Sequence, residues 1–178
     1  MAGFLLRCLS LVLTLVLMAL PGEAARDTDS YDGNIFALYA GNGSLVPPAT
    51  TLAESQAAGR TSVLVYYLDD SSTSKVFSSS VSEIQRLWGN SVDLLPLTTD
   101  ALQDRGDQGR TDPAHYWKGV VPQVVVLDSS GSILLDSVGQ VPLEEINAAI
   151  SSATGIPAPT GGSTTLSFNE LNTEVISR

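Results

Sequence analysis

The chain has a single cysteine, Cys8, and a single histidine, His115. Cys8 lies in an N-terminal apolar run, so everything after residue 25 is free of sulfhydryl groups. A segment without thiols forms no disulfide, exchanges none, and holds no zinc through thiolates. One histidine leaves no histidine pair for a metal. Nothing in the spacing brings it to a serine, so Ser–His nucleophilic chemistry has no visible partner set. Scattered carboxylates remain as weak calcium ligands, but no spaced loop gathers them. Basic residues are also scarce, with 9 Lys and Arg against 19 Asp and Glu and a net charge of −10. Such a chain has nothing to offset phosphate repulsion, so nucleic acid and anionic membrane surfaces are poor partners. The charge suits solubility in an exported compartment, or steering toward a basic partner.

What is present begins with residues 1–25. Arg7 precedes the apolar run C-L-S-L-V-L-T-L-V-L-M-A-L, Cys8 to Leu20, and P-G-E-A-A follows with small residues suited to cleavage after Ala24 or Ala25. This is the pattern of a secretory signal, and the run is short for a bilayer span. An uncleaved signal anchor is the alternative. Beyond it, residues 26–60 form an N-terminal extension, residues 61–155 the main domain, and residues 156–178 a linker and C-terminal segment.

In the extension, Ile35 to Ala40 suits a short strand, and A-G-N-G-S with Pro47-Pro48 is turn chemistry. Thr51 to Ala58 suits a short helix ending at Gly59. T-S-V-L-V-Y-Y, Thr61 to Tyr67, is apolar and β-branched without alternation, as in a strand covered on both faces. Val76, Phe77, Val81, Ile84, Leu87 and Trp88 recur near helical spacing up to Gly89. Ser91 to Asp100 reads as the next strand, pushed toward an edge by Pro96. Residues 101–114 read as an exposed loop with a helical turn. A buried strand runs to Asp128, S-S-G-S turns it into I-L-L-D-S-V-G, and Pro142 opens a helix burying Leu143, Ile146, Ala149 and Ile150. In the tail, Phe168, Leu171, Val175 and Ile176 suit one face of a short helix.

The order strand, helix, strand, then hairpin and final helix resembles the thioredoxin-like sandwich, an α/β fold. In that layout the loop L-D-D-S-S-T-S-K, Leu68 to Lys75, occupies the corner where two cysteines spaced C-x-x-C stand. Ser71 and Ser74 take those positions. Val121-Pro122 matches the cis proline facing the corner, which leaves the preceding backbone free to pair with an extended peptide. A trans proline at a strand entrance is the plain alternative. Lys75 stands where a lysine often follows the second cysteine, but reads better as a solvated helix lysine; Asp69 or Asp70 reads as a helix cap rather than a carboxylate pair, and His115 beside Tyr116 and Trp117 as structural or surface.

Four stretches together resemble one family. They are Y-D-G-N-I-F-A-L-Y-A-G-N-G-S-L-V-P-P, V-Y-Y-L-D-D-S, Y-W-K-G-V-V-P-Q-V-V-V-L-D and S-F-N-E-L-N-T-E. They are similar to the thylakoid membrane photosystem I accumulation factors of cyanobacteria, a thioredoxin-like family. The resemblance implies a lumen-facing, thylakoid-associated protein that supports photosystem I levels. It would contact photosystem I subunits or assembly intermediates, with the N-terminal segment as a route to the membrane. Members can keep a cysteine near the corner; Ser71, Ser72, Thr73 and Ser74 stand here instead. The expectation is therefore a cofactor-free, non-catalytic binding surface made of Asp70, Ser71, Ser72, Thr73, Ser74, Lys75, Tyr116, Trp117, Val121 and Pro122. A redox enzyme relying on a partner's cysteines, a hydrolase using Ser71, and a structural lumenal subunit are the other readings.

Overall fold

The computed structural model describes residues 26–103 and 105–158. The signal or anchor at 1–25 and the C-terminal helix expected around Phe168 to Ile176 lie outside the described residues. Within them is a mixed α/β domain with a four-stranded sheet and four α-helices.

Strand β1 (Ser62–Tyr67) is buried at all six positions. The sequence runs without alternation because both faces are covered. Val63, Val65 and Tyr67 enter one apolar cluster; Leu64 and Tyr66 enter the other. Strand β2 (Asp93–Thr98) pairs parallel to β1, from Ser62 opposite Asp93 to Tyr67 opposite Thr98. It is an edge strand, as Pro96 requires. Strand β3 (Gln123–Leu127) pairs antiparallel to β1 on its other side, and β4 (Ile133–Val138) completes the hairpin, giving the order β2-β1-β3-β4. The turn is closed by Asp128 Oδ1, which accepts from the amides of Ser130 and Ser132.

In the extension, helix α1 (Ile35–Tyr39) replaces the strand expected there. An isolated strand would need a sheet partner, whereas this run is capped at once. Asn34 Oδ1 accepts from the amides of Phe36 and Ala37, at 3.0 and 3.1 Å, satisfying two orphan helix donors. Ile35 and Phe36 then enter the core. Helix α2 (Leu52–Ala57) starts in a capping box between Thr51 and Glu54.

Helix α3 (Ser72–Trp88) crosses from β1 to β2 and buries Phe77, Val81, Ile84 and Trp88, a stripe at helical spacing. Helix α4 (Leu143–Thr154) buries Ile146, Ala149 and Ile150, and Gly155 ends it in the left-handed conformation at φ 69°. Trp88 Nε1 donates to Asn147 Oδ1 at 2.8 Å and ties α3 to α4. Helices α1, α3 and α4 share one sheet face; Leu52 of α2 and the segment through Leu102 and Tyr116 cover the other. The 101–114 loop is thus largely exposed but pins itself through buried Leu102, and a 3₁₀ turn forms at Pro113–His115.

Among the described residues two peptide bonds are cis: Val121–Pro122, matching the first alternative above, and Val46–Pro47.

Candidate functional site

The corner between β1 and α3 is built mostly from hydroxyls. Ser71 is the N-cap of α3, and its Oγ accepts from the Ser74 amide at 3.3 Å. Ser74 Oγ in turn accepts from the Leu68 amide at 3.3 Å. The hydroxyls of Ser71 and Ser74 are therefore spent on closing the corner, and Ser74 is buried. Asp70 is exposed and Asp69 serves a different helix. Asp69 Oδ1 accepts from the Ile35 amide of α1 at 3.0 Å. The cap of α3 is a serine, not either aspartate, because Ser71 is the residue directly before the first turn.

Across the corner the chain does bring its expected counterparts together. Thr73 Oγ1 reaches the Val121 carbonyl at 3.5 Å, Ser71 and Thr73 hydroxyls lie 2.9 Å apart, and Gln140 Nε2 donates to the Thr73 carbonyl at 2.8 Å. Pro122 is buried, while Thr73 and Val120 are exposed. Ser71, Thr73, Val121 and Gln140 thus form an accessible hydroxyl-and-carbonyl surface. Gln140 was not foreseen, since only the hairpin's length places it against the corner.

Lys75 departs from both readings offered by the sequence. Its side chain is wholly buried, so it is neither a solvated helix lysine nor a contact residue. Nζ donates to Asp32 Oδ2 at 2.6 Å, to the Thr28 carbonyl at 3.0 Å and to Ser30 Oγ at 3.3 Å, and it lies 5.6 Å from the Tyr39 ring centroid. Burial opposes the ammonium, but the Asp32 hydrogen bond and charge outweigh it, so its pKa is raised. The same bond, with one from Tyr39, holds Asp32 below the usual carboxylate range. Beside it, Asp29 Oδ1 accepts from the Ser72 amide at 2.8 Å, and that backbone bond is the main cause of its lowered pKa. Arg26 donates to Ser79 Oγ. Residues 26–32 therefore form a strap along the first two turns of α3, covering Ser72 and Lys75 and leaving Ser71 and Thr73 outside it. The cue was the acid-rich run R-D-T-D-S-Y-D before a helix with an isolated lysine.

Tyr116 also fails as a contact residue. It is 5% exposed, and its hydroxyl donates to the Arg110 carbonyl at 2.8 Å. Trp117 is half-buried, tilted on Tyr66 with ring centroids 5.3 Å apart. Both belong to the sheet face opposite α3. Buried Gln123 holds this segment, donating to the Tyr116 carbonyl and accepting from the Lys118 amide. His115 Nδ1 pairs with Asp107 at 2.8 Å, and the Ser71 hydroxyl with Thr73 and the Ser74 amide, so Ser71 and His115 are each bonded elsewhere.

A separate cavity of ≈ 540 Å³ opens beside β2, walled by Pro47, Pro48, Leu52, Pro96, Leu102 and Pro113. None of the corner residues line it. Among the described residues, no group of three or more His, Cys, Asp or Glu side chains is placed to hold a metal.

No family model matches the chain. It is 38% identical over 156 residues to the thylakoid membrane protein slr1796 of Synechocystis sp., spanning 86% of this chain and 77% of that protein. The chain belongs to the family of that protein. Among the described residues no helix is long and apolar enough to cross a membrane. The apolar run Cys8 to Leu20 lies outside them.

Proposed function

We propose that the chain is a non-catalytic, thioredoxin-like factor of the thylakoid lumen, held at the thylakoid membrane, that supports photosystem I accumulation by protein contact. The observation that carries this reading is the corner itself. Where a thiol pair would stand, Ser71 and Ser74 hydroxyls cap α3 and close the loop, while Thr73 and Val121 still meet across it. The strand order with a parallel first half and antiparallel second half supports the thioredoxin-like assignment. Kinship to a thylakoid membrane protein supports the location.

The contact surface narrows to Asp70, Ser71, Thr73, Val121 and the added Gln140. Lys75, Ser74 and Pro122 are buried beneath it, and Tyr116 belongs to the opposite sheet face. A photo-crosslinking residue at Thr73, in the full chain expressed in a cyanobacterium, tests this. The reading expects photosystem I subunits or assembly intermediates in the adducts. Adducts confined to other complexes would count against it. Turnover of insulin disulfides by the purified chain would favour the redox alternative.

A further inference from the structure

We propose that the domain rests on the membrane through the surface formed by Tyr31, Leu38 and Val76, with the lipid bilayer as its occupant. This rests on the membrane-associated part of the function above, and adds the face that turns toward the lipid. The three side chains are 75%, 49% and 48% exposed. Each of them stands beside the strap or on it. The strap bonds α3 at Ser72, through Asp29, and at Ser79, through Arg26. Val76 stands four and three residues from those positions, hence on the same strip of the helix beside the strap. Tyr31 sits on the strap. Leu38 of α1 reaches back to Gly33, the residue that follows the strap, where an added Cβ would meet Leu38 Cδ1 at 3.4 Å.

Where the chain comes from decides the occupant. The apolar run ends at Leu20, and only residues 21–25 separate it from Arg26. Six Cα–Cα steps reach roughly 20 Å at full extension. If the apolar run lies in a bilayer, the strap is held at that bilayer's surface, and the apolar side chains next to it meet lipid first. A tyrosine suits that depth, with its ring in the acyl boundary and its hydroxyl among headgroups. Asp27, Asp29 and Asp32 share the strap, so the lipid is uncharged or zwitterionic rather than anionic. The same carboxylates, on a chain of net charge −10, oppose a second copy in this place. None of the three residues belongs to the Thr73–Val121 surface, although Val76 stands one turn from Thr73 on α3.

The test uses the full chain with Cys8→Ser and one new cysteine at a time, at Tyr31, Leu38 or Val76, with Ser129 in the exposed hairpin turn as control. Each carries a polarity-sensitive fluorophore and is reconstituted with phosphatidylcholine vesicles. The expected result is a blue shift at the three face positions, and quenching by headgroup-region nitroxide lipid at least about twofold greater than at Ser129. Amide exchange in the unlabelled chain should also slow over residues 31–38 when vesicles are added. A chain that floats with vesicles while all four labels respond alike overturns the proposal. So does a chain that does not float, and so does a response seen only on adding photosystem I, which would make the face a protein contact. Crosslinking from Thr73 is read separately, so failure of the lipid face and failure of the assembly role are distinguishable.

Discussion

The Lys75 ammonium stands 2.6 Å from the Asp32 carboxylate, with the lysine side chain wholly buried and the aspartate side chain 23% exposed. This pair fastens the N-terminal extension to the helix that follows the corner. A buried charge is tolerated only while paired, and removing one partner costs more than replacing the charge by an apolar group of similar shape. Asp32→Ala should therefore lower the urea midpoint more than Lys75→Met. The reverse order would mean that the strap is held by its other bonds.

The strap also sets a pH window. Asp29 and Asp32 both have folded pKa values below the ordinary one, so their contribution is present above about pH 4 and is lost as pH falls through the lower folded values. Lys75 is raised, so its contribution is complete below the unfolded lysine pKa and is lost only as pH rises beyond it. The stability gap between the wild type and Asp29→Asn/Asp32→Asn should be flat through neutral pH and close in acid. Denaturant titrations at a series of pH values measure it.

Asp69 carries the opposite sign. Burial raises its pKa, aided by the charges of Asp100 and Asp70 and only partly offset by the Ile35 amide. Its ionised form costs stability above the folded pKa, and that cost is relieved as pH falls. Asp69→Asn keeps an acceptor for Ile35 and removes the charge. The variant should be at least as stable as wild type at pH 7, with its advantage vanishing in acid. Loss of stability at neutral pH would show that the charge, rather than the acceptor, holds α1.

Between α3 and α4, Trp88 provides both buried bulk and a donor. Trp88→Ala should cost about 3–5 kcal/mol through the cavity it leaves. Trp88→Phe should cost about 1 kcal/mol more than the change in volume alone, through the donor lost to Asn147. Equilibrium unfolding of the two variants, with Asn147→Leu as a third, separates the terms.

The corner serines are unequal, which a thiol scan reads directly. In a Cys8→Ser background, Ser71→Cys places a thiol at a helix N-terminus, where the thiolate is favoured. Ser74→Cys places it where the native side chain is 1% exposed. Ellman's reagent should react with the first roughly tenfold faster or more than with the second in the folded state. Equal rates would mean that the corner opens on the timescale of the reaction.

Much of this architecture is legible in the sequence. After Ser62 and Gln123, the runs Val63–Tyr67 and Val124–Leu127 do not alternate because they are buried on two sides, and α3 shows its stripe at helical spacing. The misreadings have separate physical causes. Ile35–Tyr39 is an apolar run too short for periodicity to separate strand from helix, and the cap at Asn34 decides it. Lys75 and Tyr116 are expected at the contact surface from their places beside the corner and before the cis proline. Their burial depends on partners 43 residues before and 6 residues before them, Asp32 and the Arg110 carbonyl, and no pattern around either residue encodes those pairings. Thr73 meeting Val121 follows from the expected topology; Gln140 joining them depends on the length of the hairpin.

The central claim is that this family member supports photosystem I by contact and without sulfur. Photo-oxidisable P700 per cell tests it most directly, in a cyanobacterial strain that lacks the gene and carries either an empty vector or the full chain with Cys8→Ser. The account predicts a low P700 level with the vector and restoration to the wild-type level by the cysteine-free chain. A normal level without the gene, or a cysteine-free chain that restores nothing while the native chain does, would contradict it.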